Sequence, residues 1–144
     1  MSDHPMEILL VEDNPVDARL MEAYFGESTA RYHLHVVRSG EEALSFLYHG
    51  VEFTNAPRPD VVLLDLHLPE MTGFEVLAAI KNHRHLKDVP VIVLTGSTAN
   101  DDVQRAYALQ ANCYLTKPTD PEDFAELMKA IDEFWLQRAK LPNR

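Results

Sequence analysis

Three carboxylates stand directly after two short apolar runs of the sequence. Asp65 follows residues 61–64, and Glu12 and Asp13 follow residues 8–11. Short, uniformly apolar runs are typical of strands buried on both faces of a parallel sheet. Such sheets bind ligands beyond the carboxyl ends of their strands. If the two strands are neighbours, the three carboxylates meet there and repel one another unless they share a cation. The sequence therefore predicts an oxygen-ligand site for a divalent metal.

Two further polar residues close later apolar runs, and their types suit phosphorus chemistry. These residues are Thr95 and Lys117, each at the end of a predicted strand. A carboxylate such as Asp65 can attack phosphorus as a nucleophile. The Thr95 hydroxyl can donate a hydrogen bond to a phosphoryl oxygen, and the Lys117 ammonium can neutralise phosphoryl charge. With a metal, these groups supply most of what phosphoryl transfer requires.

Each of these residues alone has an ordinary structural explanation. An isolated Asp at a strand end usually caps a helix or lies in a solvated turn, an isolated Thr is usually a strand residue, and Lys-Pro is usually a turn. The functional prediction therefore rests on their order and on their shared position at strand ends.

The elements that must position these residues alternate along the chain. Asn14-Pro15 and Asp120-Pro121 are pairs that cap and begin a helix. The pattern predicts strands at 6–11, 33–37, 61–65, 91–95 and 113–116, helices at about 15–25, 40–48, 73–82, 100–109 and 121–138, and a loop at 50–60. Five strand–helix units predict an α/β fold, with a parallel sheet between two layers of helices. Periodicity leaves the order of the strands open.

Composition narrows the class of protein. The 144 residues are 46% hydrophobic, which suits one domain with one core. A formal net charge of −10 argues against nonspecific binding to nucleic acid or to an anionic membrane. The lone Cys113 allows no intramolecular disulfide and fits a reducing compartment. The chain shows no signal-peptide pattern at its start and no apolar run near the ~20 residues of a membrane helix, so we expect a cytoplasmic protein.

From residue 6 to about residue 135, the pattern resembles the receiver domain of two-component response regulators. The motifs that carry the resemblance are Glu12-Asp13, Asp65-Leu66-His67-Leu68-Pro69-x-x-x-Gly73, Leu94-Thr95 and Lys117-Pro118. The resemblance implies a flavodoxin-like (βα)5 three-layer sandwich with a parallel sheet of order 2-1-3-4-5. It also implies that residues 1–144 form a single receiver domain with a C-terminal helical extension.

The same resemblance implies roles for the residues of the acidic site. Asp65 would accept a phosphoryl group from the phosphohistidine of a histidine kinase. Asp13, Asp65 and the main-chain carbonyl of His67 would bind Mg²⁺, and Glu12 would act mostly through water. The protein would then be a phosphoacceptor and not an enzyme, beyond promoting its own phosphorylation and dephosphorylation.

The resemblance also implies how the site responds to phosphorylation. Thr95 would be the hydroxyl that responds to phosphorylation, and Tyr114 would be the aromatic residue that moves with it. Lys117 would contact the phosphoryl group, and the Lys117-Pro118 bond would be cis. A cis bond before proline is a minority state, so it would mark a shaped turn.

A narrower resemblance is to the single-domain regulators that serve bacterial and cyanobacterial phytochromes. It rests on the loop at 51–59, the segment at 111–118 and the tail that begins Phe134-Trp135-Leu136. This resemblance implies a phytochrome-type histidine kinase as partner.

The length of the final predicted helix predicts self-association. About 18 residues of helix measure ~27 Å, whereas a five-residue strand spans only ~17 Å. The last turns should therefore overhang the sheet and leave Phe134, Trp135 and Leu136 for a partner subunit. We expect a homodimer with these three residues in its interface.

Three rival functions are weaker. An aspartyl-nucleophile phosphatase of the haloacid-dehalogenase type has a second Asp two residues after the nucleophile, where this chain has His67. A receiver-fold scaffold that is not phosphorylated usually lacks one of the acidic, Thr or Lys positions, and all are present here. A flavodoxin needs a Ser/Thr/Gly-rich phosphate loop after the first strand, where this chain has Glu-Asp-Asn-Pro.

Overall fold

The computed structural model describes residues 4–27 and 31–142, which build one parallel sheet between helices. The predicted domain limits at residues 1 and 144 lie outside these ranges. The sheet has five strands in the order β2-β1-β3-β4-β5, so the predicted flavodoxin-like topology is confirmed. The strands are β1 (Met6–Val11), β2 (Tyr32–Val37), β3 (Val61–Leu64), β4 (Val91–Thr95) and β5 (Cys113–Thr116).

Side-chain caps fix where most of the helices begin. Asn14 Oδ1 accepts hydrogen bonds from the backbone of Val16 and Asp17, and the side chains of Ser39, Thr72 and Asp120 cap later helices in the same way. These caps satisfy backbone N–H groups that have no partner within the helix. The helices are α1 (Pro15–Phe25), α2 (Gly40–Leu47), α3 (Gly73–Lys81), α4 (Asn100–Ala108) and α5 (Pro121–Ile131). The predicted loop at 50–60 contains a short 3₁₀ turn, Val51–Phe53.

The hydrophobic core lies on both faces of the sheet. One cluster includes Leu64, Val93, Phe74 and Ala106 and packs under α2, α3 and α4. The other includes Leu63, Ile92 and residues of α1 and α5. All four residues of β3 are fully buried, as the apolar run predicted. A strand packed on both faces holds its end rigidly, which is what a site at that end requires.

The last helix differs from the prediction. It does not run as an α-helix to residue 138, because α5 ends at Ile131 and Asp132–Arg138 forms a π-helix. The Ala139 N–H donates to the Phe134 carbonyl at 2.7 Å, the i→i+5 spacing of that helix. No helix of the described residues is long and apolar enough to cross a membrane.

Two other expectations are wrong. Leu136 is only 8% exposed and belongs to the core, whereas Phe134 is 58% exposed. The wider π turn changes which residues share a face, so Leu136 points inward and only part of the predicted interface is open. The Lys117-Pro118 bond is trans, since residues 4–27 and 31–142 contain no cis peptide. The trans form is the intrinsically favoured state before proline.

Candidate functional site

A cavity of about 730 Å³ opens at the carboxyl edge of the sheet. It is lined by the ends of four strands and the loops that follow them. Five predicted site residues line it, namely Asp13, Asp65, His67, Thr95 and Lys117. The fold therefore brings to one place residues that are as much as 104 positions apart in the chain, namely Asp13 and Lys117. This convergence follows from parallel pairing, which puts all carboxyl ends on the same edge.

The predicted metal ligands form an acidic trio. One carboxylate oxygen from each of Glu12, Asp13 and Asp65 lies within 4.8 Å of the others. Within residues 4–27 and 31–142, this is the one such group of His, Cys, Asp or Glu that could hold an ion. Glu12 and Asp65 are buried and Asp13 is exposed. Hard oxygen ligands at a site open to solvent on one side fit Mg²⁺ or a similar divalent ion.

Burial raises the pKa of Glu12 to about 7, against the opposing hydrogen bond from Lys117. The charge of Asp65 acts in the same direction as burial. The cause is general, because a carboxylate inside the protein loses its hydration and feels its acidic neighbours. A divalent ion would supply the missing positive charge, so this carboxyl group is one that a metal helps to ionise.

Lys117 is held by three carboxylates. Its Nζ lies 2.5 Å from Glu12 Oε1, 2.9 Å from Asp17 Oδ2 and 3.2 Å from Asp65 Oδ2. Its side chain is 9% exposed. Burial lowers the pKa of Lys117, but its bond to Glu12 and the charge of Asp65 outweigh burial and raise it above the ordinary value. The ammonium is therefore permanently charged next to the candidate nucleophile.

Asp17 is a site residue that the sequence analysis missed. It lies in the first turn of α1, whose start is fixed by Asn14. The available signal was the helix cap, which sets residue 17 near the helix start and thus near the end of β1. That signal could place Asp17 at the correct edge of the sheet, but it could not show that the Lys117 side chain reaches it.

Thr95 carries an unpaired buried hydroxyl. The residue is fully buried at the end of β4, and its Oγ1 has no hydrogen-bond partner in the described part of the chain. An unsatisfied buried hydroxyl is costly, by ~1–3 kcal/mol. Because Thr95 also lines the cavity, its hydroxyl is available to a ligand oxygen there.

The loops around the cavity are tied together through Asp102. Its Oδ2 accepts a hydrogen bond from the Ser97 hydroxyl at 2.6 Å and lies 3.2 Å from His67 Nε2. The Tyr114 hydroxyl donates to the Ser97 carbonyl at 3.0 Å. The predicted aromatic residue thus contacts the loop that follows Thr95. The His67 imidazole is turned towards α4 and is 60% exposed.

These features together define a class of protein. The chain belongs to the response regulator receiver domain family, whose match spans residues 8–131. The acidic trio of this chain is of the kind at which receiver domains bind a divalent metal.

The similar proteins narrow the resemblance further. The chain is 45% identical to response regulator Rcp1 of Synechocystis sp., over 98% of this chain and 96% of Rcp1. It is 41% identical to the probable methanogenesis regulatory protein FilR2 of Methanothrix harundinacea, over 99% of this chain and 91% of that protein.

Solved structures agree with this placement. The Mn²⁺-bound form of Rcp1 has a TM-score of 0.91 at 45% identity, covering 96% of this chain and 99% of its own. The phosphorylated cyanobacterial phytochrome response regulator RcpA has a TM-score of 0.93 at 44% identity, with the same coverage. Homologues of this fold therefore bind a divalent metal and carry a phosphoryl group.

Proposed function

We propose that this receiver domain is the phosphoacceptor of a two-component system and that Asp65 is the residue phosphorylated. The observation that carries the proposal is the convergence of Lys117, Glu12 and Asp13 on this one carboxylate. Asp65 directly follows β3, a strand buried on both faces, and it lines a solvent-open cavity. A phosphorylated donor can therefore approach it.

The transfer itself is a displacement at phosphorus. A carboxylate oxygen of Asp65 forms the new O–P bond, while the N–P bond of the donor phosphohistidine breaks and its imidazole leaves with the electron pair. Lys117 stabilises the charge on the phosphoryl oxygens as they move towards Asp65. Asp65 Oδ1 also accepts the His67 N–H at 3.3 Å, which orients the carboxylate. A Mg²⁺ ion held by Asp13, Asp65 and the His67 carbonyl, with Glu12 acting through water, would neutralise charge on donor and acceptor alike.

Thr95 and Tyr114 carry the conformational response in this proposal. The unpaired Thr95 hydroxyl donates to a phosphoryl oxygen once Asp65 is modified. Ser97 lies in the loop directly after Thr95, and its carbonyl accepts a hydrogen bond from the Tyr114 hydroxyl. A shift of the loop therefore changes the surface around Tyr114. The response is a shift between two packings of the same fold.

The partners follow from the relatives. We infer a phytochrome-type histidine kinase, because RcpA, which is 44% identical to this chain, is a cyanobacterial phytochrome response regulator. We infer a cytoplasmic signalling protein that acts as a homodimer, with no direct contact to nucleic acid or membrane and no enzymatic turnover of its own. The exposed Phe134 and the half-buried Trp135 support the dimer.

The test is phosphotransfer from labelled kinases. Wild-type protein is incubated with a phytochrome-type kinase and with an unrelated histidine kinase, each prelabelled from ATP, with Mg²⁺ or with excess EDTA. We expect an acid-stable, hydroxylamine-labile label, faster from the phytochrome-type kinase and absent in EDTA.

The control variants locate the label. Asp65→Asn should abolish it, and Asp88→Asn should leave it unchanged, because Asp88 is an exposed carboxylate in the loop before β4, at the opposite edge of the sheet. Undiminished labelling of Asp65→Asn would refute the assignment. Equal rates from both kinases would refute the choice of partner.

A further inference from the structure

Lys117 forms an ion pair with Asp17, a residue that has no role in the phosphoryl transfer proposed above. An ammonium group has three N–H donors. Two of them donate to Asp17 Oδ2 at 2.9 Å and to Asp65 Oδ2 at 3.2 Å, and Glu12 Oε1 lies against the ammonium as an ion pair at 2.5 Å. Because three carboxylates already surround the ammonium, a phosphoryl oxygen that contacts it must displace at least one of them.

The three partners differ in how long they remain available. Phosphorylation converts the Asp65 carboxylate into an acyl phosphate, which removes its charge from the pair. Glu12 belongs to the acidic trio, so a cation bound there would compete with Lys117 for its carboxylate. Asp17 lies outside the trio, on α1. Of the three carboxylates, it is the one that neither the metal nor the phosphoryl group removes from Lys117.

We propose that Asp17 is a positioning residue that holds the Lys117 ammonium in place throughout phosphoryl transfer. The proposal deepens the function above and rests on it. A lysine side chain has a flexible four-carbon stem, so its ammonium has a fixed position only when another group anchors it. Asp17 provides that anchor from a helix whose start is fixed by the Asn14 cap. The freed N–H can then follow the phosphoryl oxygens as the long bond to Asp65 breaks.

The sign of the effect separates positioning from simple charge. Asp17 adds one more negative charge beside a pocket that must admit an anionic donor. If charge were its only contribution, Asp17→Asn would reduce repulsion and speed the reaction. If Asp17 positions Lys117, the same variant slows it. Asparagine has nearly the same shape as aspartate, so the fold should be retained.

The experiment measures phosphorylation by acetyl phosphate at saturating Mg²⁺, followed by intact mass. We expect Asp17→Asn to be slower by about tenfold and Asp17→Glu to recover part of the rate. Glu22 is an exposed carboxylate of the same helix and has no ion pair with Lys117, so Glu22→Gln should react as fast as the wild type. Thermal melting checks that every variant is folded.

A double-mutant cycle gives the readout that a merely structural role would not move. In a Lys117→Gln background, Asp17→Asn should cause no further loss, because the residue acts only through that lysine. A tenfold loss in both backgrounds, an unchanged rate or a faster rate for Asp17→Asn each overturns the proposal. Wild-type protein that takes no phosphate on Asp65 would instead refute the proposed function.

Discussion

The molecule contains two buried clusters of polar side chains that are built on opposite principles. At the carboxyl edge of the sheet, several carboxylates crowd around the single ammonium of Lys117, and the Thr95 hydroxyl has no partner in the described residues. At the start of the C-terminal π-helix, Asp132–Arg138, the Asp132 side chain is also buried, at 7% exposure. Within residues 4–27 and 31–142, its side chain accepts hydrogen bonds from neutral groups, the side chains of Tyr24, Tyr32 and Gln137.

This difference separates a site built to bind from a cluster built to hold the fold. A carboxylate that accepts hydrogen bonds from neutral groups has its desolvation offset. Burial and the hydrogen bond to Asp132 raise the pKa of Tyr32 to about 12, so that tyrosine stays a neutral donor. The acidic edge keeps an excess of negative charge and, within the described residues, an unpaired hydroxyl, so it has groups left to bind a cation and a ligand oxygen. Electrostatic imbalance thus indicates function here, whereas burial alone does not.

The largest expected effect on stability is at Asp132. Asp132→Ala leaves the buried Tyr32 hydroxyl without its acceptor and also frees Tyr24, so we expect the free energy of unfolding to fall by ~3 kcal/mol. Urea unfolding followed by Trp135 fluorescence measures it. Glu133→Ala, at an exposed neighbour, should change stability by less than ~0.5 kcal/mol. Equal values for the two variants would remove the contrast between the clusters.

The second effect is smaller and has the opposite sign. In metal-free buffer, Asp65→Asn relieves repulsion within the trio and should raise the free energy of unfolding by ~1 kcal/mol, the size of a partly screened charge pair. Added Mg²⁺ should stabilise the wild type and have little effect on the variant. The measurement is urea unfolding with and without Mg²⁺. If the variant is instead less stable than the wild type without metal, the ion pair with Lys117 outweighs the repulsion among the carboxylates and the prediction is wrong.

The sequence predicted the part of this contrast that depends on regular elements. Asp65 and Thr95 could be placed because each ends a continuous apolar run, and parallel strands share one carboxyl edge. Asp17 could not, because its role depends on where a flexible lysine side chain points. The burial of Asp132 could not be predicted either, because only its tertiary contacts with Tyr24 and Tyr32, about a hundred residues earlier, show it.

The C-terminal segment shows the same limit. Helical periodicity could not predict the change from α5 to a π-helix, since that change depends on the contacts of Asp132 and Leu136 with the body of the domain. Both residues are consequently buried. Of the three residues predicted for the interface, Phe134 is therefore the exposed one. Its ring packs edge-to-face with the ring of Trp135, and the two ring centroids are 5.6 Å apart.

The smallest expected effect on stability is at Phe134, and it tests the proposed dimer. Phe134 is 58% exposed, so Phe134→Ser should change the free energy of unfolding by less than ~0.5 kcal/mol. If the ring contacts a second subunit, the same variant should be a folded monomer by light scattering. Wild-type association should tighten with salt, because screening weakens the repulsion between chains of net charge −10.

The matched control for this prediction is Val51→Ser. Val51 is 94% exposed on the loop after α2, so its replacement should leave the mass unchanged. A wild type that stays monomeric at high concentration, with and without phosphate, rules out the dimer. A Phe134→Ser protein that remains dimeric places the interface elsewhere.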